Sequence, residues 1–316
     1  MHFTFAIDPN IFKTWQAYSY IVQDCGVQHG RLIANYPNSW RSMALEVARQ
    51  NLAGKPETNL EYTRIEYKLQ HEMADKLVPK NGSYNLHDND WLAQAEKEHV
   101  RQPFRAIVST ANPRAVPKVL KASFLDKEND PYWRVDPFLH VDREGLPLAN
   151  AARALFSISK KIKFVDPHFG LEALRFRLSL NAFLTAIRAM NPGLVDVEYH
   201  LRQKSTADFF QEQIDNPPTP QPLVVPRGMK LRFVRWKQLP GGDKIHPRYL
   251  LTDLGGLAYE VGLDVGNAGE KTKIYRMSEK EREETWRQYD TNPKDAFGKP
   301  CATCFEFVDE FHLVGT

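Results

Sequence analysis

Apolar and polar positions set two different rhythms along the chain. The opening MHFTFAIDPN reads as a short strand. TNLEYTRIEYKLQHEMADKLV carries Leu60, Ile65, Leu69 and Met73 near helical spacing with charges between them, which predicts a helix. KNGSYNLHDND reads as a polar turn, and WLAQAEKEHVRQPF as a second helix. FRAIVST is β-rich and stops at the Pro-punctuated ANPRAVP. The charged, Pro-rich LDKENDPYWRVDPFLHVDREGLP reads as an irregular connector, after which LANAARALFSISKKI returns to helical spacing. These patterns predict a mainly helical α+β N-terminal domain over 1–155.

From about 160 the rhythm changes. KIKFVDPHFG reads as a strand broken at Asp166-Pro167, and LEALRFRLSLNAFLTAIRAM as a long amphipathic helix stopped by Asn191-Pro192-Gly193. VDVEYHL is a strand, STADFFQEQI a short helix with Ser205 as N-cap, and MKLRFVRWK another strand. After a Gly241-Gly242 turn, HPRYLLTD is a further strand, and Gly255-Gly256 with LAYEVGLD reads as a hairpin. Strand, helix, strand, helix, strand and hairpin predict an α/β sheet over 156–316.

Composition changes this picture little. The 316 residues hold 42% hydrophobic and 26% charged side chains, with eighteen Phe, twelve Tyr and six Trp, as a chain with a packed core does. The formal charge of +3 means that any basic surface must come from local clustering. No apolar run nears the ~20 residues of a membrane span, and the opening lacks a signal-peptide pattern. Three cysteines suit a reducing compartment. A cytoplasmic address with no membrane partner is the expectation.

The candidate chemistry lies in KIHPRYLLTD, residues 244–253. On a strand His246 and Arg248 point the same way, whereas Asp253 joins them only if the chain turns. An imidazole whose tautomer is fixed by a carboxylate can attack phosphorus, and a guanidinium beside it neutralises charge on the phosphoryl oxygens.

HPRYLLTD resembles the signature of the phospholipase D superfamily, His-x-Lys followed after four residues by Asp, with Arg248 in the lysine position. The order of elements from 160 onward also resembles one repeat of that fold, a mixed sheet flanked by helices. The resemblance covers about half of the chain. It implies a nucleophilic His246 forming a phosphohistidine, Arg248 on the phosphate oxygens and Asp253 orienting the ring. The family's Gly-Ser-x-Asn element is absent from its usual place; Gly262-Leu263-Asp264 is the nearest match, and Lys271 and Lys273 are candidates for further phosphate contacts. One motif in place of two implies a homodimer that brings two histidines together, or His168 as an in-chain substitute.

Asp166 and His168 follow a strand end and are candidate substrate contacts, although Asp-Pro often only ends a strand. In RGMKLRFVRWK, Lys230 and Arg232 share a face and could track a phosphate backbone; a solvated edge strand explains them equally well. Cys301 and Cys304 make half a zinc site, better read as packing, so no metal and no cofactor are expected. The sequence thus leads to a metal-independent phosphodiesterase acting on nucleic acid. The competing expectation is a degenerate subunit that binds nucleic acid or a partner protein in a larger assembly, by analogy with the accessory proteins of prokaryotic defence or mobile-element systems.

Overall fold

The computed structural model describes residues 1–80, 82, 84, 90–240, 247–291 and 305–315. Most of the KNGSYNLHDND turn, the Gly241-Gly242 pair, His246, Cys301 and Cys304 lie outside the described residues. The chain divides into two compact units, residues 2–137 and residues 138–316 together with Met1.

The first unit is α/β rather than mainly helical. In chain order it contains β1 (Phe3–Ile7), α1 (Trp15–Val22), β2 (Arg31–Asn35), α2 (Trp40–Leu52), α3 (Asn59–His71), β3 (Leu77–Pro79), α4 (Trp91–Arg101), β4 (Ile107–Ser109) and β5 (Val119–Lys121). The five strands are parallel, in the order β3-β2-β1-β4-β5. Strands covered on both faces carry unbroken apolar runs instead of alternation. Here three of the five are three residues long, too short for a period to register.

The second unit contains β6 (Phe138–Asp142), α5 (Gly145–Asn150), α6 (Arg153–Ile158), β7 (Ile162–Val165), α7 (Leu174–Met190), β8 (Asp196–Arg202), α8 (Ala207–Asp215), β9 (Lys230–Gln238), β10 (Tyr249–Thr252), β11 (Gly256–Tyr259), β12 (Lys271–Arg276), α9 (Glu279–Gln288) and β13 (Phe305–Val314). Its eight strands run β13-β9-β8-β7-β10-β11-β12-β6. β7, β8 and β9 are mutually parallel, and the other pairings are antiparallel. The expected connector therefore holds β6, which pairs with β12 from Phe138↔Tyr275 to Asp142↔Lys271. That pairing moves the division between units from near 155 to 137/138.

Alternation along β7 builds the core on both faces of this sheet. Phe164 packs on Phe183 of α7 and stacks on Tyr199 of β8. Val165 belongs instead to a cluster with Trp236, Leu251, Tyr289 and Phe305 on the other face. α7 buries Phe176, Leu180, Phe183, Leu184 and Ile187 at helical spacing. It ends at Asn191, whose amide donates to the carbonyls of Phe156 and Ser159. The cap of α8 is Thr206, whose hydroxyl accepts from the Phe209 N–H, rather than Ser205. The hairpin after Gly255-Gly256 forms as β10–β11, with Tyr249 opposite Ala258.

Candidate phosphate-binding site

The carboxyl ends of parallel strands gather loops at one edge of a sheet, where α/β folds hold ligands. At that edge β7 runs into Asp166-Pro167-His168 and β8 into the loop of Lys204. β10 runs antiparallel to β7 with Tyr249 opposite Val165, so Arg248, one residue earlier, arrives beside Asp166. Arg175 comes from the first turn of α7, Arg143 follows β6, and Asp264 lies in the loop between β11 and β12. Arg143, Asp166, His168, Arg175, Lys204, Arg248 and Asp264 line one cavity of about 400 Å³ with Phe176 and Val261.

Its floor is tightly held. The Asp166 N–H donates to the His200 carbonyl at 3.0 Å, and Asp166 Oδ1 accepts from the His168 N–H at 2.8 Å. Lys204 Nζ donates to the His168 carbonyl at 2.7 Å. Asp264 bridges two arginines, with Arg143 at 2.9 Å and Arg175 at 3.3 Å, and Arg143 also meets Glu270 at 2.6 Å. The buried Arg177 donates to the carbonyls of Leu171, Pro220 and Gln221, which anchors the segment leading to Arg175.

Four cations face two carboxylates here, a net positive lining that favours an anion. Asp264 occupies two of the cations, and Arg248 enters no ion pair with a described residue. The Nε atoms of Arg143 and Arg248 are buried without a hydrogen-bond partner among the described residues, and so is Asp166 Oδ2. Burial pushes the Asp166 carboxyl up to about 6, against the pull of the His168 and Leu263 N–H groups and the Arg248 charge. Unpartnered buried donors and a raised carboxyl gathered in one cavity mark a candidate ligand-binding site.

Four residues singled out in the sequence therefore meet: Asp166, His168, Arg248 and Asp264. The others do not join them. Asp253 lies at the far end of β10, about 16 Å along the strand from Arg248, where its Oδ1 accepts from the backbone N–H groups of Lys160 and Lys161. Its carboxylate caps the start of β7 and does not reach the cavity. Lys230 opens β9, at the edge opposite the carboxyl ends of β7 and β8. Arg232 is committed to Glu198 and Glu310. Lys271 is exposed and pairs with Asp142 at 3.0 Å, and Lys273 lies over the rings of Phe138 and Tyr275. His246 lies outside the described residues. Among the described residues no group of three or more His, Cys, Asp or Glu side chains is placed to hold a metal ion, and no helix is long and apolar enough to cross a membrane.

Arg143, Arg175 and Lys204 were missed. Lys204 had a usable signal, since it follows β8 as Asp166 follows β7. Arg143 had none, because its place depends on the long-range pairing of β6 with β12.

A scan against family models finds no match to this chain, and no curated protein matches it. Among solved structures it is similar to TrmBL2, an archaeal chromatin protein whose structure shows a novel mode of DNA binding. That likeness has 10% identity and a TM-score of 0.23 over 86% of this chain and 92% of the other, too low to equate the two folds.

Proposed function

We propose that this cavity holds the phosphodiester backbone of a nucleic acid, and that the chain is a phosphodiesterase of the phospholipase D type. The observation that carries the reading is the meeting of Arg248, the cation of the His-x-Arg motif, with Arg143, Arg175, Lys204 and His168 in one cavity. Guanidinium groups bind phosphate oxygens through paired donors, and several around one anion neutralise the charge that builds during phosphoryl transfer. In the mechanism that the family resemblance implies, an imidazole nitrogen of His246 attacks phosphorus. A P–N bond forms as the bond to the leaving oxygen breaks, and that oxygen takes a proton from a second histidine. Water then attacks the phosphohistidine, restoring His246 and releasing a phosphate monoester. His168 or the His246 of a second copy supplies the second imidazole; the second choice makes the active form a homodimer.

One observation favours the alternative, a subunit that binds nucleic acid without cutting it. Asp253, which the family motif uses to orient the nucleophile, is engaged at the far end of β10. The test is incubation of the protein with labelled single- and double-stranded DNA and RNA in EDTA, beside His246→Ala and Arg248→Ala. Cleavage that persists in EDTA and disappears in His246→Ala supports the enzyme. Binding without cleavage by wild type and His246→Ala, weakened tenfold or more in Arg248→Ala, supports the subunit. Absence of both binding and cleavage overturns both readings.

A further inference from the structure

We infer that Asp166 is a proton-carrying contact of the cavity, whose buried Oδ2 donates a hydrogen bond to a phosphodiester oxygen once it has taken a proton from solvent. The inference rests on the phosphodiester reading above and assigns a residue that the His-x-Arg motif does not include. Two geometric facts lead to it. Asp166 is 1% exposed and lines the cavity, and its Oδ2 makes no well-aligned hydrogen bond with a described residue, although the Leu263 N–H acts on the carboxyl from nearby. A phosphodiester is an anion without a proton of its own. An ionised carboxylate beside it repels it, whereas a carboxylic acid is a donor that binds it.

The surroundings allow the acid form. Arg248 lies beside Asp166 across the β7–β10 pairing, and Arg143, Lys204 and Arg175 line the same cavity. Their charge favours the carboxylate, as do the His168 N–H at 2.8 Å and the Leu263 N–H. Against them stand burial, which is the largest effect, and the negative Asp264 across the cavity; the balance raises the carboxyl to about 6. Tyr199, packed beneath on β8, is itself pushed well above its ordinary range by burial and stays neutral. An arriving phosphate adds a second negative charge near Oδ2 and draws the proton on. At pH values well above 6 binding then takes up one proton per site, and the equilibrium is balanced thus: ionised Asp166, one proton and the diester give the acid hydrogen-bonded to the bound anion. His168 is the other lining group of a type that ordinarily titrates near neutrality, so it is the control.

The experiment measures fluorescence anisotropy of a labelled ten-residue oligothymidylate at fixed ionic strength from pH 7.5 to 5.5. It compares wild type, Asp166→Asn and His168→Gln. Asparagine has the shape of the protonated acid, is neutral at every pH and keeps an N–H donor. With the carboxyl at about 6, wild type is expected to tighten roughly 25-fold over this range, because only the protonated fraction binds. Asp166→Asn is expected to bind roughly thirtyfold more tightly than wild type at pH 7.5, with a flat profile, and His168→Gln to keep most of the wild-type slope. A wild-type slope that survives in Asp166→Asn and vanishes in His168→Gln overturns the inference. So does an Asp166→Asn protein that binds more weakly than wild type at pH 7.5. In both cases the phosphodiester reading stands, because the oligonucleotide still binds; failure of wild type to bind at any pH sinks that reading and this inference with it.

Discussion

Arg248 and Asp253 stand five positions apart and end at opposite ends of one strand. Arg248 reaches the cavity because β10 runs antiparallel to β7, which brings its start to the edge where β7 ends. The same reversal carries Asp253 to the start of β7, where the backbone N–H groups of Lys160 and Lys161 use its carboxylate. The two residues therefore respond differently to substitution. Asp253→Ala is expected to cost about 1–2 kcal/mol of stability through the lost backbone acceptor, with oligonucleotide affinity unchanged. Chemical denaturation and anisotropy on the same protein check this, and a tenfold loss of affinity would return Asp253 to the site.

Among the elements, legibility in the sequence depended on strand length and on how many faces a strand buries. β8 and β9, at seven and nine residues, alternate or run apolar long enough to be recognised. The three-residue strands β3, β4 and β5 do not, and only FRAIVST gave one of them away. β6 was hidden for another reason. As the outer strand of its sheet it carries Phe138, His140 and Asp142 on a largely exposed surface, so its pattern resembles a loop. Half of the cavity was legible because Pro and Gly mark the strand ends that bear Asp166, Arg248 and Asp264. The remaining cations look like any others among forty-two.

On the sheet face opposite α7, β7 and β8 carry a buried polar group of their own. His200, fully buried, accepts from the Trp236 indole at Nδ1 and meets Glu198 at Nε2, 2.9 Å away. Lys163 closes the group at 3.5 Å from Glu198. Burial drives the His200 imidazole down to about 4. For Glu198, burial alone would raise the carboxyl, but the His200 hydrogen bond and the charges of Lys163 and Arg232 hold it at about 2. The unfolded histidine takes its proton near pH 6.5 and the folded one only near 4, so acid favours the unfolded chain across that window. Glu198 adds a further loss from about 4.5 down to 2. Asp166, raised to about 6, works in the opposite sense between 6 and its unfolded value, so the informative quantity is a difference between proteins. Thermal melts from pH 7 to 4.5 are expected to fall more steeply for wild type than for His200→Gln. Parallel curves would mean that this imidazole is not the group titrating.

At the scale of the molecule, each unit has its own sheet and core, and the chain passes from Pro137 straight into β6. The division lies inside a stretch whose composition suggests a spacer. A C-terminal fragment cut where composition suggests, at 156, would lack an outer strand, α5 and Arg143. One beginning at 138 keeps all three. The shorter fragment is expected to elute from size exclusion as aggregate, since the bared side of β12 offers a row of unpaired N–H and C=O groups to its neighbours. Its anion affinity is also expected to fall. A monodisperse 156–316 fragment with full affinity would contradict this. Five residues that look like a tether thus work as the selvedge of the sheet, and trimming them as dispensable would unravel its border and empty one corner of the anion pocket in a single cut.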